Sequence, residues 1–282
     1  MRIFTNKKDL RDCLLAYKTN KKTIGLVPTM GALHQGHLSL IEEAKKKNDL
    51  VVASIFVNPT QFDNVEDLKK YPKTLENDVN LLTSASCDFL FSPPVEEIYS
   101  ENITSEKFNF DGLEHQMEGK FRNGHFDGVG TIVKTLFKII EPNKAYFGQK
   151  DFQQLQIIKK MVQKHSLDVK IKGCPIFREA DGLAMSSRNI RLSVAHRKSA
   201  PFIYKTLKKV QNKFDIESIS EINKWLENEF KNQPLLELEY FTIANEETLE
   251  TTQKKEVGQQ YRAFIAVFTG GVRLIDNIRL KN

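Results

Sequence analysis

Five short apolar runs alternate with segments of helical periodicity between residues 23 and 176, and this alternation restricts the fold more than any other feature. The runs are rich in β-branched residues, which is typical of strands buried on both faces. Alternation of this kind predicts a parallel sheet with helices on both faces, in which ligands bind outside the carboxyl ends of the strands. The predicted strands span residues 23–27, 50–57, 88–91, 144–147 and 169–176.

The pattern changes after Pro175. A loop of charged and small residues, 178–191, precedes two predicted helices near 195–214 and 219–230. Two strand-like runs, 236–243 and 261–269, are followed by Gly270–Gly271 and the segment RLIDNI. We therefore expect an α/β protein with two domains: a Rossmann-like parallel-sheet domain over 1–176 and a smaller helical and antiparallel α+β domain over 177–282.

The composition is that of a folded, water-soluble protein, with 40% hydrophobic and 28% charged residues. The longest apolar run, 50–57, is far shorter than the roughly 20 residues that cross a bilayer. The first residues lack the apolar stretch of a secretory signal, so we expect a cytoplasmic protein. Three cysteines without CxxC spacing predict reduced thiols. The net charge of +6 comes mainly from dispersed lysines, which favours a solvated surface over a nucleic-acid interface.

The first predicted strand runs into PTMGALHQGH, residues 28–37, and then into a predicted helix. Gly31 and Gly36 allow the backbone to approach a ligand closely, and the helix N-terminus favours phosphate. His34 and His37, three residues apart, could both donate to one phosphate chain. The segment lacks the pattern of a P-loop and that of a dinucleotide-binding turn. A structural turn with incidental histidines, or a metal site, are the alternatives, and the position after the first buried strand favours nucleotide binding.

Other polar segments also follow predicted strands. Asn58 and Gln61 lie in SIFVNPTQF, and Gly148, Gln149, Lys150 and Asp151 precede a helix that begins FQQ. Glu118 and Arg122, four residues apart, predict an ion pair that positions His125. Ser186, Ser187 and Arg188 lie on the loop between the two predicted domains, where they could close over a triphosphate.

In order along the chain, PTMGALHQGH, FVNPTQF, MEGxxRxGHFxGV, FGQKDFQQ, DGLAMSSRN and RLIDN resemble the pantoate–β-alanine ligase (pantothenate synthetase) family, within the HxGH nucleotidyltransferase superfamily. The resemblance implies that ATP and pantoate form pantoyl adenylate and pyrophosphate, and that β-alanine then displaces AMP to give pantothenate, the coenzyme A precursor. It implies Mg²⁺ with the ATP, no tightly bound prosthetic group, and a homodimer. The first domain would bind nucleotide and pantoate, and the second would act as a lid and be associated with the dimer.

The same resemblance assigns roles to individual residues. His37, as proton donor, His34 and Lys150 would be catalytic. Gln61 and Gln154 would bind pantoate, and Gln61 would also adjoin β-alanine; a turn cap and a surface residue are their alternatives. No protein residue is expected to bind a metal. The residues expected to contact ATP are Met30, Gly31, Ala32, Leu33, His34, Gln35, Gly36, His37, Gly148, Gln149, Lys150, Asp151, Phe177, Met185, Ser186, Ser187 and Arg188.

Three positions depart from the family pattern that this resemblance implies. Gln149 replaces a usual Glu beside Lys150, Lys73 replaces a usual Arg, and Phe177 is bulkier than the usual residue. None removes a predicted catalytic group, although Lys150 and Asp151 could also form a simple surface pair. Two other functions remain as alternatives: a different adenylyl- or cytidylyltransferase, and a non-enzymatic nucleic-acid-binding protein.

Overall fold

The computed structural model describes residues 1–62, 65–69, 71–99 and 102–281, and the chain divides into two compact units. Unit 1 comprises Met1–Gln149 and Gln153–Pro175, and unit 2 comprises Lys150–Phe152 and Ile176–Asn282. Within the described ranges, no helix combines the length and apolar content that a membrane span requires.

The described residues of unit 1 form strands and helices that largely alternate along the chain. The strands are β1 (Arg2–Phe4), β2 (Ile24–Thr29), β3 (Leu50–Ile55), β4 (Phe89–Phe91), β5 (Lys144–Gly148) and β6 (Lys170–Cys174). The helices are α1 (Lys7–Thr19), α2 (Gln35–Lys47), α3 (Val65–Lys69), α4 (Leu75–Ser84), α5 (Val95–Ile98), α6 (Met117–Phe121), α7 (His125–Ile140) and α8 (Phe152–Lys164). Short 3₁₀ turns lie at Pro59–Gln61, Leu113–His115 and Gln149–Asp151, the last continuing into unit 2.

The six strands of unit 1 form one parallel sheet in the order β1-β4-β3-β2-β5-β6. From β2 the chain first adds strands on one side, through β3 and β4, and later on the other, through β5 and β6. The order therefore reverses at β2, and ligands of open α/β sheets bind at such a switch point, outside the carboxyl ends of the strands. The predicted segments after β3, β2 and β5 all leave the sheet at this edge.

Strand β2 is central in the sheet, and its sequence explains why its pairing with β5 ends before its pairing with β3. Residues 24–27 are buried, as a β-branched run covered on both faces requires. The β2–β3 ladder continues to Thr29, whereas the β2–β5 ladder ends at Leu26 and Ala145. Pro28 has no N–H to donate, and it lies beyond the end of the β5 ladder, where no donor toward β5 is needed.

Unit 2 contains a 3₁₀ helix at Ser187–Arg191, helices α9 (Val194–Ser199), α10 (Phe202–Phe214) and α11 (Ile219–Lys231), and strands β7 (Glu237–Asn245), β8 (Tyr261–Thr269) and β9 (Val272–Leu280). The strands form an antiparallel sheet in the order β7-β8-β9. Gly270 and Gly271 both have positive φ, at 56° and 73°, which is what a two-residue hairpin of this hand demands. Apolar residues of α10, α11 and the sheet form the core of this unit.

The predicted fold class, a parallel α/β sheet with a smaller helical and antiparallel part, is confirmed. Individual boundaries were wrong. Strand β2 continues through Pro28 and Thr29, and β3 ends at Ile55 rather than at residue 57. The strands predicted over 88–91 and 169–176 are shorter, at Phe89–Phe91 and Lys170–Cys174. The helix predicted near 195–214 is two helices, because Pro201 cannot donate a helical hydrogen bond.

Candidate active site

The first predicted site segment lies where β2 passes into α2, and its two histidines cap that helix. His34 is the N-cap residue, and His37 stands three residues later. Nδ1 of His34 accepts from the Gly36 N–H at 3.1 Å, and Nδ1 of His37 accepts from the His34 N–H at 3.3 Å. This is the reciprocal arrangement of a capping box, with imidazole rings in the places that Ser or Thr and Glu or Gln usually take.

These two hydrogen bonds determine which ring nitrogen of each neutral histidine carries the proton. A nitrogen that accepts from a main-chain N–H cannot carry a proton of its own, so the proton lies on Nε2. The rings of His34 and His37 lie side by side, with centroids 4.1 Å apart, at the positive end of the α2 dipole. In this tautomer each ring carries its N–H on Nε2 beside a helix N-terminus, an arrangement that suits a phosphate chain.

A buried carboxylate from another helix holds the turn before this cap. Asp78, in the first turn of α4, is 1% exposed and accepts from the N–H groups of Ala32 at 2.9 Å and Leu33 at 2.8 Å. Thr74 Oγ1 also donates to Asp78, at 3.1 Å. Ala32 has φ of 50°, a left-handed conformation that non-glycine residues seldom adopt, and the bonds to Asp78 stabilise it. Because these two N–H groups bind Asp78, Ala32 and Leu33 would have to contact ATP through other atoms.

Strand β3 leads to Gln61 on a short turn that buried polar groups hold. Asn58, which precedes the turn, is 1% exposed. Its Nδ2 donates to the Gly128 carbonyl at 3.0 Å, and its Oδ1 accepts from the Tyr99 hydroxyl at 2.6 Å. Burial raises the pKa of Tyr99, so this hydroxyl remains a donor. The turn that carries Gln61 is thereby tied to α7.

His125, the first residue of α7, binds the main chain of Gln61. Its Nδ1 lies 2.8 Å from the Gln61 carbonyl oxygen, and its Nε2 lies 3.1 Å from Nη1 of Arg122. Arginine can only donate, so Nε2 accepts and Nδ1 donates to Gln61. Glu118 is more distant from Arg122, at 4.0 Å. His125, which Glu118 and Arg122 are predicted to position, therefore contacts the turn that carries Gln61, a predicted pantoate residue.

Helix α7 can approach that turn because it has a glycine there. A Cβ atom at Gly128 would lie 2.4 Å from the Thr60 carbonyl oxygen and 2.9 Å from Gln61 Cα. Both neighbours are backbone atoms, which cannot move aside as a flexible side chain can. Gly128 thus permits the close packing that places Gln61.

After β5 the chain continues through Gly148 and Gln149 into the 3₁₀ turn that holds Lys150 and Asp151. Lys150 Nζ lies 3.7 Å from Asp151 Oδ1, longer than an N–H···O hydrogen bond. The Lys150 side chain is 19% exposed, so its stem is covered although the carboxylate beside it does not hold the ammonium group closely. This geometry differs from that of a tight surface pair.

The two glutamines at the start of α8 differ in their surroundings. Gln153 is 4% exposed, and its Nε2 donates to the carbonyls of Leu113 and Gln116, each at 2.8 Å. Its Oε1 accepts from the Glu118 N–H at 2.9 Å. Gln153 is therefore occupied in holding the fold, and the half-buried Gln154 stays the predicted pantoate residue.

In unit 2, the predicted ATP residues Phe177 and Met185 lie next to each other. The Met185 N–H donates to the Phe177 carbonyl at 3.0 Å, and Arg178 forms an antiparallel bridge with Ala184. Residues 177–185 are thus a closed loop that returns to its own start. Phe177 is 39% exposed, so its ring is available to pack against a flat group.

Ser186 follows this loop, and Ser187 and Arg188 begin the 3₁₀ helix Ser187–Arg191. Ser186 caps it by accepting from the Arg188 N–H at 3.3 Å. Asn189 donates to Glu179 Oε1 at 2.9 Å, which ties the helix to the loop before it. The Ser-Ser-Arg segment therefore has a defined turn conformation within unit 2.

Asp78, Asn58 and Tyr99 hold the site segments but were not predicted to do so. One local signal exists for Asp78: it lies four residues before the buried Leu82, on the apolar face of α4. A carboxylate on that face needs a partner in the core. Nothing local to Tyr99 indicated its contact, since its partner Asn58 is 41 residues away.

A parallel sheet with paired histidines capping the helix after its central strand defines the HxGH nucleotidyltransferase class. Comparison with known proteins narrows the class. The family model for pantoate–β-alanine ligase matches residues 2–279. The pantothenate synthetases of Christiangramia forsetii and Flavobacterium psychrophilum are 56% and 54% identical to this chain, each over 100% of both chains.

Solved structures similar to this chain come from the same family. A pantothenate synthetase from Thermus thermophilus is 40% identical, with a TM-score of 0.92 over 100% of both chains. A pantoate–β-alanine ligase from Francisella tularensis, complexed with beta-gamma ATP and β-alanine, is 37% identical, with a TM-score of 0.83 over 99% of this chain and 97% of that one. The chain belongs to the pantoate–β-alanine ligase family and is a ligase, which confirms the family predicted from the sequence.

Replacing Asp78 should disturb the cap of α2 without touching its histidines. In Asp78→Asn the amide NH₂ would face a main-chain N–H, so we expect a loss of about 1.5–3 kcal/mol in the free energy of unfolding. We also expect turnover to fall by about 10–10²-fold, because His34 and His37 would shift. The control is Asp88→Asn at the opposite edge of the sheet, since Asp88 also accepts from a main-chain N–H, that of Val51 at 2.7 Å. Asp88 is paired with Lys45 as well, so this control loses at least as many contacts. Equal turnover in the two variants would contradict the role of Asp78.

Gly128→Ala should displace the turn that carries Gln61. The added methyl would press on the turn, so we expect the KM for pantoate to rise by about tenfold or more, from displacement of a predicted pantoate residue. Gly130→Ala is the matched control, because the three heavy atoms nearest to a Cβ there all belong to the Phe108 ring, the closest at 2.9 Å, and a side chain can move where backbone cannot. An unchanged pantoate KM in Gly128→Ala, measured in steady-state kinetics, would refute this placement of Gln61.

Proposed function

We propose that the residues described above carry out the family reaction in two steps. In the first, a carboxylate oxygen of pantoate attacks the α-phosphorus of ATP, and pyrophosphate leaves. In the second, the amine of β-alanine attacks the acyl carbon of pantoyl adenylate, AMP leaves, and the amine proton passes to solvent or to the leaving phosphate. The carboxylate is itself the first nucleophile, so that step needs no basic side chain.

The observation that carries this proposal is the pair of capping histidines. Transfer at phosphorus needs alignment and charge stabilisation more than covalent help. His34 and His37 each have Nδ1 bound to the main chain and Nε2 as the donor nitrogen. We assign both to the phosphates of ATP, with His37 as the donor to the charge that develops in transfer.

Other residues complete the site in this proposal. Lys150 binds phosphate, and Gln61 and Gln154 bind pantoate through neutral amides that leave the nucleophile charged. The ATP and β-alanine in the Francisella tularensis complex support these two ligands for a related protein. The further residues proposed to contact ATP are Met30, Gly31, Ala32, Leu33, Gln35, Gly36, Gly148, Gln149, Asp151, Phe177, Met185, Ser186, Ser187 and Arg188.

The setting of the reaction is part of the same proposal. Mg²⁺ accompanies ATP as part of the substrate. The active form is a homodimer in the cytoplasm that binds small molecules and no nucleic acid, with residues 1–176 and 177–282 as its two domains. The dimer and the compartment are what the resemblance to the family implies.

Dependence on both organic substrates tests the reaction. The protein is incubated with ATP, Mg²⁺, pantoate and β-alanine, and AMP is measured. We expect pantoate alone to give pyrophosphate in an amount close to that of the enzyme, because the adenylate stays bound, and both substrates together to give continuous AMP. AMP release that needs neither substrate, or a preference for CTP, would overturn the proposal.

His37→Asn tests the assignment of the imidazole. Asparagine can still accept the His34 N–H through Oδ1, but it cannot place a donor where Nε2 was. We expect turnover to fall by about 10²–10³-fold with little change in melting temperature. His196→Asn is a matched control, since His196 holds the corresponding position of α9, with Nδ1 2.7 Å from Ser193 Oγ at the cap. Turnover in His37→Asn close to that of the control would contradict the assignment.

A further inference from the structure

The segment RLIDN near the end of the chain has no role in the reaction described so far. It lies in β9, where exposure alternates regularly from Val272 to Asp276 and then breaks, because Asn277 is buried as well. Asp276 is 4% exposed and Asn277 is 2% exposed. Successive strand residues point to opposite faces, so both faces of β9 are covered at this point. Two buried polar side chains in succession require partners.

The partner of Asn277 is the main chain of the predicted phosphate lysine. Nδ2 of Asn277 donates to the Lys150 carbonyl at 2.8 Å, and both residues belong to unit 2. Oδ1 of Asn277 accepts from Nη1 of Arg262 at 2.6 Å. Because arginine only donates, this contact fixes which end of the amide faces Lys150.

Arg262 is itself held in place. It is 5% exposed and bonds Glu246 through Nε at 2.9 Å. Its guanidinium lies 4.0 Å from the ring centre of Phe152, two residues after Lys150. The contacts thus run from Glu246 through Arg262 and Asn277 to the turn that carries Lys150.

The neighbouring residue of the motif holds a second predicted ATP segment. Asp276 accepts two bonds from the Arg178 guanidinium, at 2.6 and 2.9 Å. Arg178 follows Phe177 and forms the bridge that closes the loop of residues 177–185. Two successive residues of β9 therefore support two segments that the proposed function assigns to ATP.

We propose that Asn277 is a positioning residue, which fixes the main chain of Lys150 and thereby places its ammonium group for the phosphates of ATP. The proposal rests on the role assigned to Lys150 in the proposed function. The Asp151 carboxylate is 3.7 Å from the ammonium group, too far for a hydrogen bond, and the buried Asp276 carboxylate attracts its charge. The hydrogen bond from Asn277 acts on the main chain instead and fixes where the side chain of Lys150 begins.

The test variant is Asn277→Asp. The new side chain keeps an oxygen for Arg262, so the buried guanidinium remains paired, but its second oxygen faces the Lys150 carbonyl and repels it. We expect pantoate-dependent pyrophosphate release to slow by about 10–10²-fold, with the melting temperature within a few degrees of wild type. If Asn277→Asp does not fold, the test uses Asn277→Ala, which removes the hydrogen bond to the Lys150 carbonyl without adding repulsion.

Thr269→Val is the matched control. Thr269 in β8 is also buried, and its hydroxyl donates to the Leu235 carbonyl at 2.8 Å. Its loss removes the same kind of bond, from side chain to backbone carbonyl, in the same unit but away from Lys150. We expect stability to fall while the rate of pyrophosphate release is retained.

Combination with Lys150→Ala distinguishes positioning from general support. If Asn277 acts through Lys150, Asn277→Asp should add almost no slowing in the Lys150→Ala background. The inference about Asn277 would be overturned if Asn277→Asp slowed pyrophosphate release by the same factor in Lys150→Ala as in wild type. It would also be overturned if Asn277→Asp by itself stayed within twofold of the wild-type rate. Either result would leave the proposed function standing. Normal turnover in Lys150→Ala would overturn the assigned role of Lys150 and this inference with it, whereas a wild-type protein without substrate-dependent AMP release would overturn the proposed function.

Discussion

The N–H groups at the start of α2 have no partners within the helix, and the structure satisfies part of them with imidazole nitrogens. A serine and a glutamate would cap the helix equally well, but they would leave no aromatic N–H beside it. With Nδ1 used as the acceptor in both His34 and His37, the donor nitrogen of each neutral ring is Nε2. The same hydrogen bonds that begin the helix therefore select the tautomer that can bind phosphate.

The same kind of contact, in which a buried polar side chain binds main chain, recurs in the turn before α2 and at the turn that carries Gln61. Asp78 accepts from Ala32 and Leu33, and His125 donates to the carbonyl of Gln61. In each case the contact orients a turn and does not occupy the side chain that the turn presents. Such contacts are sensitive to substitution, because a buried group that loses its partner costs more than the bond contributed.

Local pattern was sufficient for the parallel sheet and for the segment at 28–37, since strand and helix periodicities are short-range properties. It was insufficient for β1, whose three residues are too few to show a period, and for the helix break at Pro201, where helical spacing continues on both sides. The side chains that hold the site segments could not be predicted from local pattern for another reason. Asp78 is 45 residues from Leu33, so its partner follows from the packing of the sheet and not from spacing. Site roles came from resemblance to a family, and the contacts that support them came from the structure.

The distribution of charge among the predicted residues fits the order of the two steps. A cation beside the pantoate carboxylate would lower its nucleophilicity, and Gln61 and Gln154 are neutral amides that can bind it without that effect. At the phosphates the requirement is opposite, since negative charge has to be stabilised there, and Lys150 and Arg188 are cations proposed to contact ATP. Gln149 beside Lys150 carries no negative charge, where a glutamate would offset part of the cation. In the proposed function the position of this charge, and with it the first step, depends on the geometry of the turn that carries Lys150.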